Sequence, residues 1–129
     1  MDERLPHLAP QAPPPLVIGV LGGIASGKSW VARRLCRAGD ECIDADQIAR
    51  EVLESAPVRD LLLAHFGAHV LHPDGSLNRE WLAGRVFQDP AAKERLESFT
   101  HPRVRDRIRA RLEDAFARRA ARVVLDVPL

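Results

Sequence analysis

The stretch GGIASGKSWVARRL, Gly22 to Leu35, follows directly on the apolar run LVIGVL, Leu16 to Leu21. An uninterrupted apolar run of strand length predicts a strand buried on both faces of a parallel sheet. Four residues separate Gly22 from Gly27, and Lys28 and Ser29 follow, which completes the pattern G-x-x-x-x-G-K-S. From Lys28 to Ala38 the spacing of Val31, Ala32, Leu35 and Cys36 predicts an amphipathic helix that Gly39 stops. Strand, glycine loop and helix in this order let consecutive backbone N–H groups curl around phosphate, with the helix N-terminus adding partial positive charge. The expectation is nucleoside triphosphate binding by Gly22, Gly23, Ile24, Ala25, Ser26, Gly27, Lys28, Ser29 and the Trp30 backbone. Lys28 would meet the β- and γ-phosphates, and the Ser29 hydroxyl would take one position on Mg²⁺.

Composition agrees with an ordinary globular domain. The chain has 129 residues, 19 basic against 18 acidic side chains and a formal net charge of +1, so net charge names no partner. Lys28 and Lys93 are the only lysines among those basic residues. A compact ammonium at Lys28, in a chain that elsewhere uses the forked guanidinium, fits a dedicated phosphate contact. The opening MDERLPHLAPQAPPP holds five of the ten prolines and reads as a disordered lead-in over residues 1–15. It has no secretory apolar core, and no segment is long and apolar enough to span a bilayer, so the expected location is cytoplasmic. Cys36 and Cys42 are accordingly expected as reduced, buried thiols.

Beyond Gly39, ECIDAD reads as a second short strand ending in Asp44 and Asp46. Carboxylates at the C-terminal end of a parallel strand share the sheet edge on which a phosphate loop opens. Asp46 could accept the proton of an acceptor hydroxyl, or it could cap the next helix. Helices are then expected over Asp46 to Ser55, Pro57 to Phe66, Arg79 to Phe87 and Ala91 to Phe99. The turn HPDGSLN lies between the second and third of these, and a further helix restarts at Pro102. RVVLDV, Arg122 to Val127, is a third strand. Asp126 on it is a candidate for the outer shell of Mg²⁺.

Two clusters invite functional readings that the spacing does not favour. Arginines at 103, 105, 107, 109 and 111 flank an apolar stripe of Val104, Ile108, Leu112 and Phe116. Asp106, Glu113 and Asp114 interrupt the positive charge, so the expectation is a solvated face rather than a nucleic-acid surface. His65, His69 and His72 come without a Cys or carboxylate set at zinc spacing. His101 at a helix start reads as a cap.

Taken in order, GGIASGKS, DAD-x-IAR (Asp44 to Arg50), FG (Phe66 and Gly67), DGSLNR (Asp74 to Arg79), RVFQDP (Arg85 to Pro90), THP (Thr100 to Pro102) and VVLDVPL (Val123 to Leu129) resemble the landmarks of the dephospho-CoA kinase family. The resemblance covers Leu16 to the end. It implies an α/β phosphate-loop kinase fold in 16–129, with a parallel sheet flanked by helices and a helical acceptor-side insertion over about 47–119. It implies transfer of the ATP γ-phosphoryl group to the ribose 3′-hydroxyl of dephospho-CoA, with Asp46 as base and Lys28 neutralising charge. His101 gains a role toward the acceptor only through this resemblance. Leu21 and Trp30 depart from the family, which usually has threonine at both positions. The family also continues past VPL with more sheet, an arginine-bearing lid and an adenine-holding segment, so the fold is expected to be incomplete. The alternatives are another small-molecule kinase of the same fold and an ATP-binding fragment without catalysis.

Overall fold

The computed structural model describes residues 15–22 and 28–128, and the backbone alone at 22, 28, 29 and 128. Residues 1–14 of the expected lead-in, and Gly23, Ile24, Ala25, Ser26 and Gly27 of the expected loop, lie outside the described residues. The element order is β1 (Leu16–Gly22), α1 (Lys28–Leu35), β2 (Glu41–Asp44), α2 (Ala45–Glu54), α3 (Ala56–Phe66), a 3-10 turn (Ala68–Val70), α4 (Arg79–Gln88), α5 (Pro90–Ala117) and β3 (Arg122–Pro128). The chain divides into two compact units, one of residues 1–43 and 111–129, the other of residues 44–110.

The first unit is the sheet unit. Its strands lie in the order β1-β3-β2, so β3, last in sequence, sits in the middle. β1 pairs with β3 in parallel from Leu16 opposite Arg122 to Gly22 opposite Pro128. Val123 and Val124 of β3 are buried, as a central β-branched strand should be, and Ala32 of α1 and Ile43 of β2 are buried in the same unit. β1 is less enclosed than its apolar run predicts, with Leu16, Val17 and Leu21 exposed.

Three arginines from the far end of the chain hold this unit together. Arg122 donates to Asp40 Oδ2 at 2.6 Å and to the Leu35 carbonyl at 2.6 Å, a cation placed on the last turn of α1 where the helix dipole favours it. Asp40 is almost wholly enclosed, and the Arg122 hydrogen bond holds its carboxyl below the usual aspartate range. Arg111 donates to Glu41 and, at 2.7 Å, to the Cys42 carbonyl, while Arg118 takes the other Glu41 oxygen. Burial pushes the Glu41 carboxyl up, but the two guanidiniums outweigh it and leave the group lowered. The arginine face of α5 is therefore partly a set of internal ties, rather than wholly solvated as its spacing suggests.

The expectation of two separate, buried thiols is corrected. Gly39, at a φ of 86°, turns the chain between α1 and β2 and brings the Cys36 and Cys42 Cα atoms to 6.2 Å. That separation is within reach of a disulfide, and the two half-buried cysteines form one.

The second unit is helical. Ile48, Val52, Val58, Leu62, Val70, Leu82 and Ala92 form its core, several of them at 0% exposure. The Asp74 carboxylate accepts from the Ser76 N–H and hydroxyl, Gly75 adopts a φ of 88°, and Leu71 bridges Leu77, so the predicted turn closes as a small antiparallel loop.

α5 differs from its prediction. Two helices separated near THP were expected, yet one helix runs 28 residues from Pro90 to Ala117 with Pro102 inside it. Proline lacks the N–H that would bond the Ser98 carbonyl. Side chains supply donors around the gap: Ser98 Oγ to the Arg95 carbonyl, Thr100 Oγ1 to the Leu96 carbonyl and Arg103 Nη1 to the Phe99 carbonyl. His101 is thus inside a helix rather than capping one, and the expected stripe ends at Phe116, which is 46% exposed.

Candidate active site

The backbone frame of a phosphate loop is present on both sides of residues 23–27. β1 ends at Gly22 and α1 begins at Lys28, so strand, loop and helix follow one another as the motif requires. α1 packs against β1 and β3, which fixes the direction of the helix N-terminus that Lys28 and Ser29 open. The side chains of Lys28 and Ser29 are outside the described residues.

The Trp30 indole lies on a solvated face of α1. It is 59% exposed, and the Arg34 guanidinium stands 5.1 Å from its ring centroid, one helical turn on. An i, i+4 cation and indole on a solvated helix face satisfy each other locally. Leu21, at 63% exposure near the end of β1, presents a side chain without a hydroxyl.

Asp126 is the one polar residue among the buried residues described, at 4% exposure. It lies opposite Val20 in the β1–β3 register, two residues short of the ends of both strands. Among the described residues no buried side-chain polar atom lacks a hydrogen-bond partner.

The capping role that the sequence offered for Asp46 is filled at the start of α2 by a different carboxylate. Asp44 is the N-cap: its Oδ1 accepts the Asp46 N–H at 3.0 Å and the Gln47 N–H at 3.2 Å. Asp46 stands in the first turn, half-buried, where a carboxylate is favoured by the dipole. The cap is thus made by its neighbour. Farther along α2, Arg50 donates to Gln47 at 2.8 Å, Gln47 to Glu51 at 3.2 Å, and Arg107 of α5 meets Glu51 at 3.6 Å.

His65 and His69 are engaged by rings: His65 meets Phe66 and Phe99 edge-on, and His69 stacks on Trp81. Among the described residues no group of three or more His, Cys, Asp or Glu side chains converges on a common point. No helix among them is long and apolar enough to cross a membrane.

The family model for dephospho-CoA kinase matches residues 16–129. The chain belongs to the dephospho-CoA kinase family. It is 43% identical over 113 residues to the dephospho-CoA kinase of Xanthomonas axonopodis pv. citri, covering 88% of this chain and 54% of that protein. Against the dephospho-CoA kinase of Moorella thermoacetica it is 48% identical over 117 residues, with 88% and 54% covered. The crystal structure of TT1252 from Thermus thermophilus superposes with a TM-score of 0.74 at 33% identity, covering 90% of this chain and 57% of that one. The parallel sheet flanked by helices is therefore the phosphate-loop kinase fold of this family. The chain spans about half the length of the curated relatives it matches.

Proposed function

We propose that this chain carries the phosphate-binding and acceptor-side parts of a dephospho-CoA kinase, and that it directs the ATP γ-phosphoryl group to the ribose 3′-hydroxyl of dephospho-CoA. The observation that carries this reading is G-x-x-x-x-G-K-S between β1 and α1, in a chain of that family. Gly22 to Ser29, with the Trp30 N–H, cradle the phosphates, and the Lys28 ammonium offsets charge on the transferred group. Asp46 accepts the proton of the attacking hydroxyl or orients it from the first turn of α2, the helix that Asp44 caps. The helical unit of residues 44–110 is the acceptor-side body. The reaction belongs to a cytoplasmic enzyme with small-molecule partners and no nucleic acid.

Mg²⁺ fits the donors present. The Ser29 hydroxyl follows the loop lysine, and the buried Asp126 carboxylate is carried on the strand paired with β1. Both are hard oxygen donors of the kind Mg²⁺ takes beside phosphate and water. Bound there, the ion would supply charge neutralisation at the phosphates, with Ser29 as a direct ligand and Asp126 acting through water.

Mass spectrometry of an acceptor panel incubated with this chain and Mg·ATP tests the proposal. The expected product is phosphorylated dephospho-CoA, with nucleosides unchanged. Lys28→Ala should reduce turnover by at least about a hundredfold while leaving the circular dichroism spectrum intact. Phosphorylation of a nucleoside but not dephospho-CoA would move the chain to another kinase of this fold. ATP binding with no product from any acceptor would leave it a nucleotide-binding unit.

A further inference from the structure

Within the helical unit, α3, α4 and the first turns of α5 line a half-open cavity of about 260 Å³. One wall is aromatic. Trp81 and Phe66 line it with their rings 6.4 Å apart at 80°, and His65 stands edge-on to Phe66 at 4.9 Å. His69 stacks on Trp81 at 6.1 Å and 26°, so the indole is held in one orientation. The buried Ala92 adds a small side chain to the lining, leaving room for a flat group.

The opposite chemistry is cationic. Arg85 donates to Asp89 Oδ2 at 2.9 Å, and Asp89 Oδ1 accepts the Ala91 N–H at 3.0 Å, so this pair is committed to the start of α5. The Arg85 hydrogen bond also keeps the Asp89 carboxyl below the usual range, hence ionised at neutral pH. Arg95, one turn farther on, lines the same cavity and has no side-chain partner among the described residues. With Arg85 and Asp89 paired, the lining holds one guanidinium without a side-chain partner among the described residues, together with aromatic rings. A guanidinium fork matches the oxygens of a phosphate, and ring faces match a planar heteroaromatic group.

We infer that this cavity binds a nucleoside monophosphate group, its base against Trp81 and Phe66 and its phosphate on Arg95. A volume of about 260 Å³ suits one such group and not a whole dinucleotide cofactor. The source is a free nucleotide: in the function proposed above the acceptor's own ribose must reach Asp46 and Lys28, and neither lines this cavity.

The chain has two tryptophans, so Trp30→Phe leaves Trp81 as the only indole reporter. Titrating that protein with AMP should give a saturable change in Trp81 fluorescence, with adenosine and inorganic phosphate each at least about tenfold weaker. In the same background Arg95→Gln should weaken AMP about tenfold or more at an unchanged thermal midpoint, and Arg95→Lys should restore part of the loss. Lys28→Ala should leave the AMP response intact, which separates this cavity from the phosphate loop. Absence of a saturable response, equal affinity for adenosine and AMP, indifference to Arg95→Gln, or loss of the response in Lys28→Ala would each overturn the assignment. Dephospho-CoA should not compete with AMP, and competition between them would overturn the free nucleotide as the source. The assignment does not depend on whether the chain phosphorylates dephospho-CoA.

Discussion

Asp40 and Arg122 lie 82 positions apart, and their ion pair joins the chain just before β2 to the first residue of β3. The folded-state pKa of Asp40 is lowered, chiefly by the Arg122 hydrogen bond. A carboxylate lowered on folding adds stability above its unfolded pKa and loses that contribution as pH falls through the folded value. Asp40→Asn should therefore lower the thermal midpoint at pH 7, and the gap to the parent protein should begin to shrink near about pH 4, where the unfolded carboxyl protonates, and close only as pH falls through the lower folded value. Melting curves across pH check this; a gap that stays constant into acid would mean the pair contributes through shape rather than charge. Asp44 and Asp46 give a second contrast between adjacent carboxylates. Asp44→Ala removes the α2 cap and should cost about 1 kcal/mol of stability. Asp46→Asn should cut turnover far more than ATP affinity, read by kinetics and ATP titration. The motif put both residues on one short stretch, but only hydrogen-bond geometry could say which of them caps the helix.

α5 shows where periodicity misleads. Pro102 is a legitimate sequence signal for a helix start, and the apolar spacing resumes just after it. The helix nevertheless runs on through the proline, and the Ser98, Thr100 and Arg103 side chains bond the Arg95, Leu96 and Phe99 carbonyls around it, contacts that depend on rotamers rather than residue order. Its far end is also informative. Arg119 has a φ of 55°, and the chain leaves the helix with the Ala120 N–H bonded to the Ala115 carbonyl at 2.9 Å. This is a left-handed C-terminal turn of the kind that glycine adopts without cost. The Arg119 side chain is exposed and has no partner among the described residues. Arg119→Gly should thus stabilise the protein by about 1 kcal/mol, measured by chemical denaturation. Destabilisation instead would show that the guanidinium contributes more than the strain removed. By contrast β1, β2 and α1 were legible at once, because a glycine loop between an apolar run and an amphipathic run has few other readings. The α1–β2 disulfide was not, since it depends on the turn at Gly39 bringing two Cα atoms to 6.2 Å.

Each of the two units has a core built from its own residues, and this has a measurable consequence. Ile48, Val52, Val58, Leu62, Val70 and Leu82 all fall within residues 44–110, and Val52, Val58, Leu62 and Val70 are at 0% exposure. Local bonds reinforce that core, from the Asp44 cap at one end to the Asn78 side chain, which accepts the Trp81 N–H at the start of α4. The sheet unit depends on contacts between distant segments: β1 pairs with β3, and Glu41 and Asp40 accept from arginines at 111, 118 and 122, with the local Arg37 N–H adding one bond to Asp40. Local contacts form quickly and survive excision, whereas long-range pairing needs both chain ends. A peptide of residues 44–110 should therefore be helical by circular dichroism and unfold cooperatively on heating, at a lower midpoint than the whole chain because a domain of this size buries proportionately less surface. A non-cooperative melt would mean that the helical core needs the sheet unit to hold its packing. A cooperative one would give the AMP cavity, whose lining lies wholly within 44–110, a setting free of the phosphate loop. Trp81 would then be the sole indole without any substitution, and the response to AMP should persist in the excised unit.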